Sequence, residues 1–240
     1  MANSGSGNLA QVVTIYSSNL RAVDLPLDAH STYDPHDPVE NAERAAKHSL
    51  VRAVKEVIEL TAHLDVNDIE VETVDEITEL VNAIAERLAL LPSLHEHGGL
   101  GSVGGDDGAV LERSGISGRS NPLAAPVQWT LGTSKATGWA IYTPAYEGPA
   151  GNVHGGFVAA AFDDLMGSAQ IISGLAGYTG TLTVKMLRPT PLGQRIEYEA
   201  GIERVEGRKI FVWGTSDCHG ERLAEAKIVF IAPRDGVRPR

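Results

Sequence analysis

Residues 157 to 172 read Phe-Val-Ala-Ala-Ala-Phe-Asp-Asp-Leu-Met-Gly-Ser-Ala-Gln-Ile-Ile, apolar or small on nearly every side of the helix they predict. A surface helix keeps a polar half. This one must be wrapped by protein, so the rest of the chain has to supply a sheet or other helices around a central rod. Two acids interrupt it. An ionised carboxylate in such a place is costly unless it is paired or hydrogen-bonded, so Asp163 and Asp164 need a use. Neighbouring residues differ by about 100° around a helix axis, so the two cannot share one environment. Asp163 lies seven residues after Gly156, two turns along the same stripe, and is the candidate functional acid.

The helix opens on Asn152-Val153-His154-Gly155-Gly156. Amides of a first turn have no partner inside the helix and carry the positive end of its dipole. Gly155 and Gly156 have no side chains to block an approach, so a carbonyl oxygen can rest on their N–H groups and be stabilised as it becomes an oxyanion. Along one helix, however, those amides and Asp163 are roughly 10 Å apart, at about 1.5 Å per residue. That is too far to act on one carbonyl. A second protomer bringing its own Asp163 beside this N-terminus would close the gap, which points to a site at a dimer interface. A tight helix start, a capping histidine and an ion-paired acid would each explain one of these residues alone. Their combination is harder to explain that way.

The chain also carries Tyr146-Glu147-Gly148-Pro149 ahead of His154-Gly155-Gly156. Further on come a Thr-rich strand ending in Arg188-Pro189-Thr190-Pro191, and Ala224-Glu225-Ala226 leading to Phe230. In this order, from about Gly118 to Pro233, the sequence resembles hotdog-fold acyl-CoA thioesterases of the phenylacetyl-CoA thioesterase and thioesterase-superfamily type. The resemblance implies an α+β hotdog fold, an antiparallel sheet wrapped around a long central helix. It implies that the acid nine residues after the histidine, Asp163, is general base or nucleophile, and that the His154-Gly155-Gly156 turn polarises the thioester carbonyl. It further implies that Thr179, ten residues before Pro189, helps hold the water. Some relatives carry Asn or Gln six residues before the histidine; this chain has Gly148 there, which moves any such orienting contact toward Asn152.

With 240 residues and 42% hydrophobic content the chain can bury one sizeable core plus an accessory region. Cys218 is its one cysteine and cannot form an internal disulfide. The absence of a signal-like N-terminus or a long apolar run leads us to expect a cytoplasmic protein without membrane insertion. A net charge of −11 argues against nucleic acid as a partner. Coenzyme A, as part of the substrate, is also anionic and needs a local basic patch, for which Lys185 and Arg188 are the candidates. Leu182, Val184 and Met186 alternate with Thr181, Thr183 and Lys185, a period of two that predicts one polar face shared by Thr179. No metal or other cofactor is expected.

Six strands are predicted, near 127–133, 138–145, 179–187, 195–205, 208–217 and 222–232. Turns fall at Glu206-Gly207, at His219-Gly220 and from Pro189 to Gly193. A sheet this short has edges to hide, and pairing them across a two-fold axis again predicts a homodimer, with a tetramer left open.

The first hundred residues differ. Asp37-Pro38 reads as a helix start, followed by Leu50, Val54, Val57, Thr61 and Leu64, and then by Ile77, Val81, Ile84, Leu88 and Leu91 beyond the loop 65–72. We therefore expect a partly disordered segment over 1–36, a helical hairpin over 37–94, a Gly-rich linker over 95–117 and the hotdog domain over 118–234. The expected activity is hydrolysis of an acyl-CoA thioester to free acid and coenzyme A. The alternatives are a non-catalytic acyl-CoA-binding protein and a hotdog enoyl-CoA hydratase.

Overall fold

The computed structural model describes residues 42–92 and 113–234, together with the backbone of a short strand, β1 (Gln11–Ile15). Helices α1 (Ala42–Ala62) and α2 (Val71–Ala89) come first. Strands β2 (Val127–Leu131) and β3 (Ala136–Ile141) precede the central helix α3 (Gly155–Ala169), which ends in a short 3₁₀ turn at Gln170–Ser173. Strands β4 (Tyr178–Met186), β5 (Arg195–Glu206), β6 (Lys209–Cys218) and β7 (Glu221–Ile231) complete the body.

All seven strands form one antiparallel sheet in the order β1-β4-β7-β6-β5-β3-β2. The six predicted strands are all present. β1 lies in the segment expected to be partly disordered, and it runs along β4 with Val13 opposite Val184. It therefore covers the edge that β4 would otherwise expose, and β2 forms the other edge. The two-residue turn after β6 places both His219 (φ 50°) and Gly220 (φ 78°) in the left-handed region, the geometry that matches the twist of paired strands.

Helix α3 lies on the inner face of the sheet. Val158, Ala159, Ala161, Phe162, Leu165, Met166 and Ala169 are buried there against Ile196, Tyr198, Ile210, Val212, Ile228 and Phe230. The helix comes close because Gly214 of β6 has no side chain: a Cβ there would lie 2.9 Å from Met166 Sδ and 3.1 Å from Phe162 Cδ1. The Tyr198 ring meets Phe162 edge to face, and its hydroxyl bonds that of Tyr142 at 2.9 Å.

The predicted hairpin helices are present, but their apolar stripes are not covered. α1 buries only His48 and Val51, while α2 buries none of its residues; Leu60, Ile77, Leu80 and Ile84 are more than half exposed. The Asp37-Pro38 start lies outside the described residues, as do residues 1 to 8 and most of the Gly-rich segment. Besides the buried Val51, polar bonds tie α1 to the body. Lys55 Nζ donates to the Ala124 carbonyl at 2.7 Å, the Tyr146 hydroxyl donates to the same oxygen at 3.1 Å, and Thr143 donates to Glu59. The end of the expected linker is not a linker: Arg113 to Ser120 folds into turns on the body, where Ser117 and Ser120 are buried.

Candidate functional site

The offset between the two acids of α3 sorts them onto opposite walls. Asp164 points toward the loop before β2. There its carboxylate accepts hydrogen bonds from Trp129 Nε1 at 3.0 Å, from the Ser114 hydroxyl at 3.1 Å and from the Ser117 hydroxyl. Burial pushes its pKa up, and the donors from Ser117, Trp129 and Ser114 hold it down. Three donors thus converge on this one carboxylate. Asp163 is half-buried on the other side and accepts one bond, from the Thr179 hydroxyl at 3.0 Å. Burial raises its pKa above the usual Asp range, the Thr179 bond works against that, and the nearby Asp164 charge adds to it. One of its oxygens carries the Thr179 bond, and the other accepts no hydrogen bond among the described residues.

Thr179 does not share a face with Thr181, Thr183 and Lys185. The β4–β7 register breaks between Thr179 and Thr181, so Thr179 sits opposite Phe230 and Leu182 opposite Ile228, both on the inner face. Gly180 is the extra residue of this bulge, which reverses the alternation and turns the Thr179 hydroxyl inward. An isolated glycine inside a strand pattern is the sequence signal for such a bulge. Lys185 consequently lies on the outer face, away from Asp163.

At the helix start, His154 is the N-cap, and its Nδ1 accepts the Gly156 amide at 3.0 Å. The Phe157 amide is bonded to the His154 carbonyl at 2.9 Å. That leaves the Gly155 N–H as the first-turn donor with no acceptor among the described residues. Gly148 packs directly beneath, where a Cβ would lie 2.7 Å from His154 Cα, so no side chain fits at that position without a shift of the turn. Asn152 spends its side-chain amide on the Ala150 carbonyl at 2.9 Å.

The turn opens on a groove of about 850 Å³ whose walls include Asn152, His154, Gly155, Gly156, Met186 and Arg188. Arg188 reaches across its rim, donating to the Arg222 carbonyl at 3.0 Å beside Glu221. Neither Asp163, Thr179 nor Lys185 lines this groove. The Asp163–Thr179 pair and the His154–Gly156 turn therefore do not share this groove. The sequence reading did not find Ser114, Ser117 and Trp129 around Asp164, because nothing in their spacing marks them. No cluster of acids, histidines and cysteine suited to a metal occurs among the described residues, and no described helix is long and apolar enough to cross a membrane.

No family model matches the chain. Among curated proteins it is 33% identical over 90 residues to the acyl-coenzyme A thioesterase THEM4 of Xenopus laevis, covering 37% of this chain and 40% of that protein. It is also 33% identical over 87 residues to mouse THEM4, covering 35% and 37%. The chain thus spans about two fifths of the length of these relatives. Among solved structures, the crystal structure of a thioesterase superfamily protein superposes with a TM-score of 0.70 at 25% identity, covering 85% of this chain and 98% of that one. That share is more than residues 113–234 alone could supply, so the likeness extends beyond the body. The chain has the hotdog fold of the thioesterase superfamily.

Proposed function

We propose that the protein is an acyl-CoA thioesterase whose site is completed across a two-fold axis. The observation that carries this reading is the division of the chemistry into two half-sites: an Asp163–Thr179 pair on one side and a bare Gly155 amide at the head of a groove on the other. Brought together from two protomers, they would bracket one thioester carbonyl. The Gly155 N–H, at the positive end of α3, stabilises the oxyanion, while Asp163 takes a proton from water or attacks the carbonyl carbon itself. Thr179 orients the carboxylate so that its second oxygen faces the reaction. The acyl chain and the coenzyme A lie along the groove, with Arg188 and Asn152 on its wall; Lys185 has no place in this arrangement. The likeness to THEM4 supports the substrate class, and no metal or redox group is required by the chemistry.

Two measurements test the proposal. A panel of acyl-CoA esters from acetyl to palmitoyl, with phenylacetyl included, should reveal at least one substrate whose turnover falls by about a hundredfold or more in Asp163→Asn, the scale for losing a positioned acid or base. Unchanged turnover in that variant removes Asp163 from the mechanism. Gly155→Pro deletes the amide at a helix position that tolerates proline, and His154 already has the extended backbone that precedes one. Mixing these two inactive proteins should restore about a quarter of the parent activity, because half the dimers are mixed and each mixed dimer holds one intact site. No recovery on mixing places the whole site within one chain. A single turnover in isotopically labelled water separates water activation from direct attack, since hydrolysis of an anhydride at the enzyme carboxyl leaves label in Asp163.

A further inference from the structure

Beyond the bulge, the inner row of β4 runs Leu182, Val184 and Met186, and its last member leaves the core. Leu182 and Val184 are buried, whereas Met186 is half-buried and lines the groove of the His154 turn. Its thioether rests on Gly155. A Cβ at that glycine would lie 2.9 Å from Met186 Cε and 3.2 Å from Met186 Sδ, so any larger residue there would push the methionine aside. Gly155 is thus needed twice, once for its open N–H and once to seat Met186.

Two other apolar side chains line the groove beside this turn. Val153 precedes His154 and Val158 lies in the first turn of α3; both are buried, and β-branching makes both stiff. Met186 differs from them. Its side chain is unbranched and flexible, and it is the least buried of the three. A thioester carbonyl seated on the Gly155 N–H therefore sets one of its two substituents against the Met186 thioether. The anionic end of coenzyme A belongs with Arg188 at the rim, so the acyl group is the substituent that turns into the apolar corner.

We propose that Met186 selects the acyl group by its shape next to the carbonyl, admitting unbranched acyl-CoA esters and rejecting those with a methyl branch on the adjacent carbon. The inference rests on the thioesterase reading and adds a substrate class to it. A branch on that carbon meets the thioether on one side and the packed valines on the other. Making room requires lifting Met186 off Gly155, because Val153 and Val158 are fixed by their burial. A methyl group more or less in an apolar pocket changes discrimination by about 10–200-fold.

The test compares kcat/KM for two esters on one protein sample: the best substrate of the acyl-CoA panel, and the same ester carrying a methyl on the carbon next to the carbonyl. A ratio taken on one sample does not depend on how much of the enzyme is folded. The parent should favour the unbranched ester by at least about tenfold. Met186→Ala removes the thioether and should cut that preference by about tenfold, the lower end of what one methyl group is worth. Met186→Val keeps a strand-favouring side chain but shortens it, and should move the ratio in the same direction by less. A parent that treats both esters alike, or a preference that neither variant changes, would overturn the proposal. So would an equal loss on both esters, which places Met186 against the coenzyme arm instead. A parent that hydrolyses no ester of the panel is a different result: it removes the thioesterase reading, and the selectivity falls with it.

Discussion

The Thr179 hydroxyl donates to Asp163 Oδ1 at 3.0 Å, and it is the one hydrogen bond among the described residues that restrains the raised pKa of that acid. Removing it therefore has a signed consequence. Thr179→Val should move the acid limb of the kcat/KM profile to higher pH and lower turnover by about tenfold or more, the scale of one hydrogen bond to a charged group. Thr179→Ser should keep the limb in place. A limb that does not move in the valine variant would mean that another group sets it.

Asp164 acts on Asp163 in the opposite direction, because its charge raises the neighbour's pKa. Asp164→Asn removes that charge, and the acid limb should move to lower pH. Asp164→Ala does more harm, since it strands the Trp129, Ser114 and Ser117 donors. We expect a loss of about 2–4 kcal/mol in chemical denaturation, within the range for orphaned buried donors and lost bonds to a charged group.

Asp163 itself should weaken the fold at neutral pH. Its folded-state pKa is raised, so the folded protein holds this proton more tightly than the unfolded chain does. The stability it contributes is present at low pH and is lost as pH rises through the folded value. Asp163→Asn should thus be more stable than the parent at pH ~7, with the difference shrinking as pH falls toward the ordinary Asp value of about 4. Denaturation curves at both pH values decide it; a variant less stable at neutral pH contradicts the reading.

Gly214 sets how closely α3 approaches the sheet. Gly214→Ala should cost about 1–3 kcal/mol through overpacking against Met166 and Phe162. Because the displaced helix carries Asp163, turnover should fall in the same variant while the pH profile keeps its shape.

Much of this was legible in the sequence, because the patterns involved are local. The all-round apolar content of 157–172 predicts a wrapped helix, and the offset of adjacent helical residues separates Asp163 from Asp164 without any knowledge of what surrounds them. The His154-Gly155-Gly156 turn is likewise a local feature. What the sequence obscured depends on counting or on distance along the chain. Alternation assigns Thr179 to the wrong face because Gly180 inserts one residue and reverses the parity of everything before it. β1 is paired with a strand far along the chain, a relationship that local patterns do not carry. Ser114, Ser117 and Trp129 come together around Asp164 only once α3 docks.

One oxygen atom moors two parts of the molecule that look unrelated in the sequence. The Ala124 carbonyl receives both Lys55 Nζ and the Tyr146 hydroxyl, and the Tyr146 carbonyl in turn holds the His154 amide at 2.9 Å. The Tyr146 ring also props Phe157, in the first turn of α3, with ring centres 4.9 Å apart. A carbonyl has two lone pairs, and here both are taken. Trimming the chain to its sheet and rod would therefore cut a stay that runs from the leading helix to the histidine turn, so the accessory segment belongs to the foundations of the groove.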